Sequence, residues 1–355
     1  MPLTEKTAVT VIIPCRNEIQ HIRKFLDSVI RQEVADIEFE ILVADGMSTD
    51  GTREILEEYE RDSPTLRVID NPQKIVSTGL NAAIREARGE FIVRMDAHTE
   101  YAPDYIRTCL YVLHTTQAEN VGGPARTRAD GYLAQAIACG FHSKFVSGGA
   151  KFHDSRFEGY VDTVTYGCWR KSTLLRLGLF DENLYRSQDD EMNLRIRASG
   201  GKVWQSPRIV SWYRPRADLS SLSRQYFQYG FWKVAVIRKH RKPASLRNLV
   251  PGACLLTGVI LLLGIFSATL AGFSWWEGAL SVALASLSGL YLAISLIAAF
   301  FIARQNGWRY FPVLPFVFAT YHFSYAVGFL LALAYRPMAW DQPSYLRKIL
   351  TAITR

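Results

Sequence analysis

The sequence lacks the features of an exported, disulfide-stabilised protein. Its five cysteines are scattered and odd in number, and no two of them form a CxxC pair. A reducing compartment is therefore favoured, and we interpret the cysteines as core residues. Near the amino terminus, Glu5 and Lys6 lead into a short strand rather than an apolar segment with a cleavage site, so we expect no signal peptide. The cysteines are Cys15, Cys109, Cys139, Cys168 and Cys254.

Patterns of a helix-turn-helix or a zinc finger are also absent from the sequence. Their absence matters because the net charge of +8 would otherwise suggest a nucleic acid as the partner. We therefore expect the positive charge to contact anionic lipid, and we expect no nucleic acid partner.

Charged residues are missing from three segments near the carboxyl end, residues 250–273, 280–303 and 312–335. Each segment spans 24 residues without Asp, Glu, Lys or Arg, whereas roughly 20 apolar residues suffice to cross a bilayer. Aromatic side chains flank the segments, as expected at the two membrane interfaces. The sequence therefore predicts a transmembrane region of about three helices at 250–335. The flanking aromatic residues are Trp275, Trp276, Trp308, Tyr310 and Trp340.

The basic run, residues 238–247 (RKHRKPASLR), precedes these segments and has five cationic side chains and no acidic one. It predicts a multi-pass protein of the inner (plasma) membrane whose amino-terminal domain is cytoplasmic. We divide the chain into a soluble domain (1–237), a basic juxtamembrane linker (238–249), the transmembrane region (250–335) and a tail (336–355). Three crossings put the tail outside, although its basic residues favour the cytoplasm. Either one segment is re-entrant, or the tail lies on the membrane surface.

The soluble domain alternates between short apolar strands and amphipathic helices. Strands are predicted at 9–13, 39–44, 66–69 and 91–95, with helical patterns between them. This βαβα alternation predicts an α/β domain with a doubly wound, mostly parallel sheet. From about Gly122, clusters of glycine and polar residues interrupt both periods, which predicts loops over a site rather than more sheet.

One stretch, residues 88–101 (RGEFIVRMDAHTEY), contains a predicted buried strand that is followed directly by polar residues. The strand is apolar on both faces, as in the middle of a parallel sheet. Such sheets bind ligands beyond the carboxyl ends of their strands. Asp96 and His98 follow the strand, where they are placed to hold a divalent cation from one side. Alternatively, Asp96 caps the next helix.

Other polar residues follow neighbouring strands. Asn17 and Glu18 come after the first strand and Asp45 after the second, so polar groups converge on one rim of the sheet. Residues 188–191 (QDDE) begin a predicted helix. Their acids either interact favourably with the helix dipole or belong to the site.

Taken in order, the motifs resemble those of the inverting, family 2 glycosyltransferases with a GT-A fold. The resemblance covers roughly residues 9–242 and is closest to the membrane-anchored, succinoglycan-type exopolysaccharide transferases of bacteria. The matching segments are VTVIIPCRNE, ILVADGMSTDGT, NPQKIVSTGLNAAIREARGEFIVRMDAH and LGLFDENLYRSQDDEMNLRIRASG.

This resemblance implies a nucleotide-sugar donor and assigns residues to it. Asn17 and Glu18 would border the nucleotide, and Asp45 would contact its base. Lys74 either adds positive charge beside the diphosphate or is a solvated surface lysine.

The resemblance also implies a divalent cation, Mn²⁺ or Mg²⁺, as the cofactor. Asp96 and His98 occupy the family's metal-binding Asp-x-Asp motif, with His98 in place of the second Asp. Imidazole is a softer ligand than carboxylate and suits Mn²⁺ better than Mg²⁺. The family's Glu-Asp motif falls on Gln188 and Asp189, which makes Asp189 the candidate catalytic base for the acceptor's proton.

Four residues are candidate contacts for the acceptor: Glu191, Trp169, Gln228 and Trp232. Trp169 either stacks on a sugar ring or is a core residue, as aromatic residues more often are. Glu191 holds either the acceptor or the helix end. Gln228 and Trp232 belong to QYGFW, the counterpart of the Gln-x-x-Arg-Trp motif of processive family members. Phe231 stands where that motif has Arg, which favours the addition of one sugar.

The expected function is transfer of a single hexose from a nucleotide sugar, a UDP-sugar, to a lipid-linked (polyprenyl diphosphate) saccharide in exopolysaccharide synthesis. One alternative is a polyprenyl-phosphate sugar synthase, whose phosphate acceptor needs no strong base. The acid at Asp189 argues against it. A second alternative, of another class, is a nucleotide-sugar-sensing subunit of a polysaccharide exporter.

Overall fold

The computed structural model describes residues 7–34, 37–164 and 166–335. The chain divides into two compact units, Met1–Arg128 with Lys151–Arg214, and Ala129–Ala150 with Pro215–Arg355. This division differs from the predicted boundary at residue 237, because residues 215–237 and an internal segment group with the apolar carboxyl-terminal helices. The predicted tail at 336–355, with Trp340, lies outside the described residues.

Strands and helices alternate from β1 to β4, as predicted. The bounds of the elements in both units are as follows. The strands are β1 (Thr7–Cys15), β2 (Ile37–Asp45), β3 (Leu66–Asp70), β4 (Phe91–Arg94), β5 (Thr99–Tyr101), β6 (Asn120–Gly122), β7 (Gly159–Tyr160), β8 (Cys168–Arg170), β9 (Val203–Gln205) and β10 (Ser211–Tyr213). The helices are α1 (Ile22–Ile30), α2 (Thr52–Asp62), α3 (Val76–Glu86), α4 (Tyr105–Thr116), α5 (Tyr132–Phe141), α6 (Lys144–Ser147), α7 (Lys171–Arg176), α8 (Gln188–Ala198), α9 (Leu219–His240), α10 (Val250–Leu270), α11 (Ser274–Asn306) and α12 (Leu314–Ala334).

Within the described residues, the first unit is built on an eight-stranded sheet in the order β3-β2-β1-β4-β8-β6-β9-β7. The first four strands of this order are parallel, whereas β8 is antiparallel to both β4 and β6. Strands β5 and β10 form a separate antiparallel pair. The prediction of an α/β fold with a mostly parallel sheet is therefore confirmed. The prediction of loops after Gly122 missed β8, β9 and β10, because three-residue strands are too short to show a period.

Helices cover both faces of the parallel strands, which is why apolar residues predominate in these strands. On β1, Val11 belongs to the cluster with α1 and α4, whereas the next residue, Ile12, belongs to the cluster with α3 and α8. Both side chains are fully buried. The sheet is therefore covered by helices on both faces, and the polar residues that follow its parallel strands lie at one edge.

In the second unit, three helices are long and apolar enough to cross a membrane: Leu246–Leu270, Ser274–Asn306 and Leu314–Ala334. They confirm the prediction of apolar helices at the carboxyl end and indicate membrane association. Helices α5 and α6 belong to the same unit, although their residues fall inside the predicted soluble domain.

All five cysteines have free thiols. Cys15, Cys109 and Cys168 are buried, as predicted for core residues, and Cys139 is partly buried. Cys254 is exposed on the apolar helix α10. The core interpretation is therefore confirmed for three of the five and is wrong for Cys254.

Candidate active site

The loops that follow β1 and β2 are joined by hydrogen bonds between side chains and backbone, which we call the loop latch. Asn17 Oδ1 accepts from the Thr49 N–H at 2.9 Å, and the Asn17 N–H donates to Ser48 Oγ at 2.9 Å. The Glu18 N–H donates to Thr52 Oγ1 at 2.8 Å. Asn17 adopts a left-handed φ of 55°, which asparagine tolerates better than most residues. The latch fixes the positions of the predicted nucleotide-binding residues Asn17 and Glu18.

Asp45 ends β2, and its side chain is 1% exposed. Its carboxylate accepts a 2.6 Å hydrogen bond from Ser48 Oγ and lies 3.4 Å from Nη1 of Arg53. Arg53 also pairs with Asp70, at 2.5 Å, at the end of β3. The Asp45 carboxylate therefore holds the second loop in shape.

Asp96 follows β4 and is held by a bidentate ion pair. Arg94 donates from Nε to Oδ1 of Asp96 at 2.8 Å and from Nη2 to Oδ2 at 3.0 Å. The Asp96 N–H donates to the Tyr101 hydroxyl at 2.7 Å. The next helix, α4, begins at Tyr105 with Asp104 at its amino-terminal cap. The alternative that Asp96 caps that helix is therefore wrong.

His98 brings the β4 end next to the loop latch, because its Nδ1 lies 3.4 Å from Oε1 of Glu18. Its side chain is 46% exposed. A carboxylate offers about four lone pairs, so Asp96 keeps acceptor capacity beyond its two bonds from Arg94. Carboxylate and imidazole together suit a divalent transition metal. Within the described part of the chain, however, no group of three or more His, Cys, Asp or Glu side chains is arranged around a metal position.

Asp189 lies in the first turn of α8 and accepts a hydrogen bond from Nη1 of Arg94. Arg94 therefore bridges Asp96 and Asp189, and its own side chain is only 4% exposed. Burial raises the pKa of Asp189 to about 6, with Asp96 and Asp190 acting in the same direction and Arg94 opposing. The Asp189 side chain keeps 29% of its surface exposed, so solvent or a ligand can reach it.

Arg94 is the site residue that sequence reasoning missed, because residues 91–95 were interpreted as an apolar strand. Burial acts to lower the pKa of the Arg94 guanidinium, but Asp189 and Asp96 outweigh it and raise the pKa above its usual value. A buried cation needs such partners. The available signal was one arginine inside an otherwise apolar, buried strand.

Glu191 does not face an acceptor, which corrects the first of the acceptor predictions. Its side chain is fully buried, and its Oε2 accepts from Nη2 of Arg195 at 2.8 Å and from Nε at 3.0 Å. Arg195 also donates to the carbonyl oxygen of Leu179 at 2.5 Å. Glu191 therefore ties α8 to the turn that precedes it, in agreement with the alternative that it holds the helix end.

Burial also corrects the predictions for Trp169, Gln228 and Trp232. Trp169 is 1% exposed on β8 and packs edge-to-face on Phe180 with ring centroids 6.0 Å apart. It is a core residue, as the alternative had it. Gln228 and Trp232 lie on α9 and are 4% and 3% exposed. These three side chains leave almost no surface for an acceptor.

Lys74 is exposed in the loop between β3 and α3. In the sheet order, β3 stands three positions from β4, which is roughly 14 Å at the usual strand spacing. Lys74 is therefore on the side of the site away from Asp96. Its contact with a diphosphate stays a prediction.

A mostly parallel sheet with polar residues gathered at the ends of β1, β2 and β4 is the arrangement that the resemblance to GT-A glycosyltransferases predicts. In agreement, residues 10–168 match the family described as glycosyl transferase family 2. The chain therefore carries a glycosyltransferase family 2 domain, and the protein is an enzyme of this class.

Two curated relatives extend the similarity beyond this domain. The succinoglycan biosynthesis protein ExoA of Rhizobium meliloti (strain 1021) is 29% identical over 283 residues, covering 76% of this chain and 86% of the relative. A dolichyl N-acetyl-alpha-D-glucosaminyl phosphate 3-beta-D-2,3-diacetamido-2,3-dideoxy-beta-D-glucuronosyltransferase of Methanococcus voltae is 28% identical over 239 residues, covering 65% and 74%.

Among solved structures, the mannosyltransferase PcManGT from Pyrobaculum calidifontis, in complex with GDP-Man and Mn²⁺, aligns with a TM-score of 0.58. The alignment covers 92% of this chain and 88% of that one at 20% identity. At this identity the similarity concerns the fold.

Proposed function

We propose that the protein transfers a single hexose from a UDP-sugar to a lipid-linked saccharide during bacterial exopolysaccharide synthesis, at the inner face of the cell membrane. The observation that carries this proposal is the bridge from Asp96 through Arg94 to Asp189. It places a carboxylate of raised pKa beside the predicted metal-binding residue. The similarity to ExoA, named for succinoglycan biosynthesis, supports the product class. The apolar helices and the basic run support the location.

In this proposal, Asp189 accepts the proton of the acceptor hydroxyl. The hydroxyl oxygen then forms a bond to the anomeric carbon as the bond to the nucleoside diphosphate breaks on the opposite face, which inverts the configuration. Arg94 holds the Asp189 carboxylate toward the site and keeps it ionised. The loop latch positions the nucleotide, and the buried Asp45 contributes by holding the second loop in shape.

A divalent cation would be held from one side by Asp96 and His98, and when bound it would supply charge stabilisation for the departing diphosphate. Two protein ligands would leave most coordination positions to the diphosphate and to water. Glu18, 3.4 Å from His98, would orient the imidazole. The Mn²⁺ in the similar mannosyltransferase structure supports this cofactor.

A polyprenyl-phosphate sugar synthase is the second candidate. The name of the M. voltae relative gives that protein a dolichyl-linked sugar as its acceptor, which supports a lipid-linked saccharide rather than a bare lipid phosphate. A phosphate acceptor carries no proton that must be removed, whereas Asp189 has the raised pKa of a group that takes one. This difference favours a hydroxyl acceptor. The exporter-subunit alternative loses its support because the domain belongs to an enzyme family.

The purified protein, incubated with single UDP-sugars and membrane lipid extract, tests the proposal. The expected result is a lipid product heavier by one hexose, detected by mass spectrometry, with release of UDP. Addition of sugar directly to polyprenyl phosphate would favour the second candidate. If no nucleotide sugar yields either a lipid product or hydrolysis of the donor, both candidate functions are contradicted.

Metal dependence gives one prediction. Chelation should abolish transfer, and Mn²⁺ should restore it better than Mg²⁺, because the site combines carboxylate with imidazole. His98→Asp should shift the preference toward Mg²⁺, since a second carboxylate is a harder ligand. Steady-state rates across metal concentrations measure this preference. Full activity in excess chelator would contradict the prediction, as would an unchanged preference in the variant.

The pH profile gives a second prediction. Protonated Asp189 cannot accept a proton, so kcat should fall as the pH drops through about 6, the pKa that burial gives this carboxyl. Above that range the carboxylate is ionised and the rate should level off. The residual activity of the Asp189→Asn variant should lack this fall in kcat on the acid side, which we call the acid limb. If the same limb persists in the variant, another group is responsible for it.

A further inference from the structure

Helices α9 and α12 touch along their backbones. A Cβ added to Gly230 on α9 would lie 2.0 Å from the carbonyl oxygen of Tyr325, and one on Gly328 would lie 2.1 Å from the carbonyl oxygen of Phe227. No side chain fits at such distances. The two glycines therefore allow α9 and α12 to pack as a single two-helix unit, which we call the helix pair.

The helix pair is parallel, and its carboxyl ends are tied together. Ser223 bonds to Ser324 at 2.8 Å near one end. At the other end, Arg238 donates to the carbonyl oxygens of Leu333 and Tyr335, each at 3.0 Å. Arg238 is also the first residue of the basic run, which leads into α10. The carboxyl end of α12 is thus held at the segment that precedes the first candidate span.

The amino-terminal half of α12 contacts the internal segment that contains α5 and α6. The Tyr321 hydroxyl donates to the carbonyl oxygen of Ile137 at 3.0 Å. Nε2 of His322 lies 3.1 Å from the carbonyl oxygen of Phe145, and its Nδ1 lies 3.1 Å from the Tyr291 hydroxyl. His322 therefore faces the interior of the unit, and α12 is anchored to α6 as well as to α11.

All of these partners except α11 precede α10 in the chain. Among the described residues before 246, no helix is long and apolar enough to span a bilayer, so α5, α6 and α9 lie on the side from which α10 enters. A crossing α12 would traverse about 30 Å of hydrocarbon and would have to leave these partners or take α9 with it. Helix α9 carries Arg224, Lys233 and Arg238 along its length, and each charge costs about 2.5–3.5 kcal/mol at the bilayer centre.

The exposed surface of α12 differs from that of the other two apolar helices. In the most apolar stretch of α12, 39% of the residues are buried, against 6% in the corresponding stretch of α10 and 11% in that of α11. Four of its five large exposed apolar side chains, at positions i, i+7, i+11 and i+15, share one face of the helix. A helix with one apolar face uncovered and the other packed on protein is suited to lie along a membrane surface. The four side chains on this face are Phe316, Phe323, Val327 and Leu331, and the fifth, Leu333, lies off this face near the carboxyl end of the helix.

We propose that α10 and α11 alone cross the bilayer, as a hairpin, and that α12 lies in the interface beside α9 with its exposed apolar face on lipid acyl chains. Both ends of α12 are then on the side from which α10 enters. This arrangement also agrees with the basic residues that follow α12 in the sequence, which favour the same side as the basic run.

Spin labels on the full-length protein in phosphatidylglycerol-containing nanodiscs test this arrangement. In a Cys254→Ser background, Phe316→Cys and Leu331→Cys place labels 15 residues apart on the exposed face of α12, or about 22 Å along the helix. Relaxation by oxygen and by a nickel chelate should report the same shallow depth for both. Leu256→Cys and Leu263→Cys on α10 are the matched controls, and their depths should differ by about 10 Å. Depths on α12 that pass through the bilayer centre would overturn the proposal.

Reporter fusions provide an independent measurement. A green fluorescent protein at the carboxyl terminus of the full chain should fluoresce, and an alkaline phosphatase there should be inactive. The same phosphatase inserted at Gly272, in the turn between α10 and α11, should be active. An active phosphatase at the carboxyl terminus would show a third crossing and overturn the proposal.

Discussion

Replacement of Asp189 by asparagine is expected to lower kcat by about 10²- to 10⁴-fold, the usual loss when a general base is removed. Asparagine can still accept the hydrogen bond that Arg94 donates, so the fold should persist. Affinity for the nucleotide-sugar donor should stay nearly unchanged, because the predicted donor contacts lie in the loop latch, which Asp45 supports from within. Single-turnover rates and donor binding by calorimetry separate the two effects.

Asp190→Asn is the matched control, because it removes the same charge from the same helix turn. An effect on the helix dipole would therefore appear in both variants. Since Arg94 binds Asp189, we expect Asp190→Asn to retain most of its activity. Equal losses in the two variants would mean that the first turn of α8 needs charge rather than a base. A folded, fully active Asp189→Asn would place the base elsewhere.

Arg94→Met is expected to have the largest effect on stability. It removes the cation between Asp96 and Asp189, whose side chains are 15% and 29% exposed. Breaking one partner of a buried ion pair typically costs about 3–5 kcal/mol. Without Arg94 the pKa of Asp189 should rise further, because the guanidinium opposes the effect of burial. The acid limb of the rate profile should then move to higher pH.

Arg85→Met is the matched control for Arg94→Met. Arg85 pairs with Glu182 at 3.3 Å, but its side chain is 59% exposed, and exposed pairs contribute at most about 1 kcal/mol. Thermal unfolding in nanodiscs compares the two variants, and the pH profile of any active Arg94→Met protein tests its effect on Asp189. If both variants unfold at the same temperature, the bridge does not stabilise the site. If the rate falls over the same pH range as in the unaltered protein, Arg94 does not influence the pKa of the base.

The sequence was sufficient for the first half of the fold, because β1 and β2 are nine residues long and their apolar runs are easily recognised. It was also sufficient to bring Asn17, Asp45 and Asp96 to one edge, since parallel strands end together. It could not show the bridge from Arg94 to Asp189. Those residues are 95 positions apart, and their contact depends on the path of the intervening chain.

Burial was the property that residue type failed to reveal. Trp169 and Glu191 have side chains that suit a sugar site, and only the packed structure shows that both are internal. The grouping of α5 with α12 was equally hidden, because it joins Ile137 to Tyr321, 184 positions later. Contacts at such separations leave no local periodic signal.

The helix pair also has a consequence for the order of events during synthesis. Helix α9 leaves the ribosome before α10, but Tyr226 and Gly230 meet their partners on α12 only when that helix has been made. In the proposed arrangement, insertion of the α10–α11 hairpin therefore comes between the synthesis of α9 and the completion of its packing. Insertion of the membrane anchor is then a step in the maturation of the protein. A chain that ends before α12 keeps an uncovered apolar surface on α9.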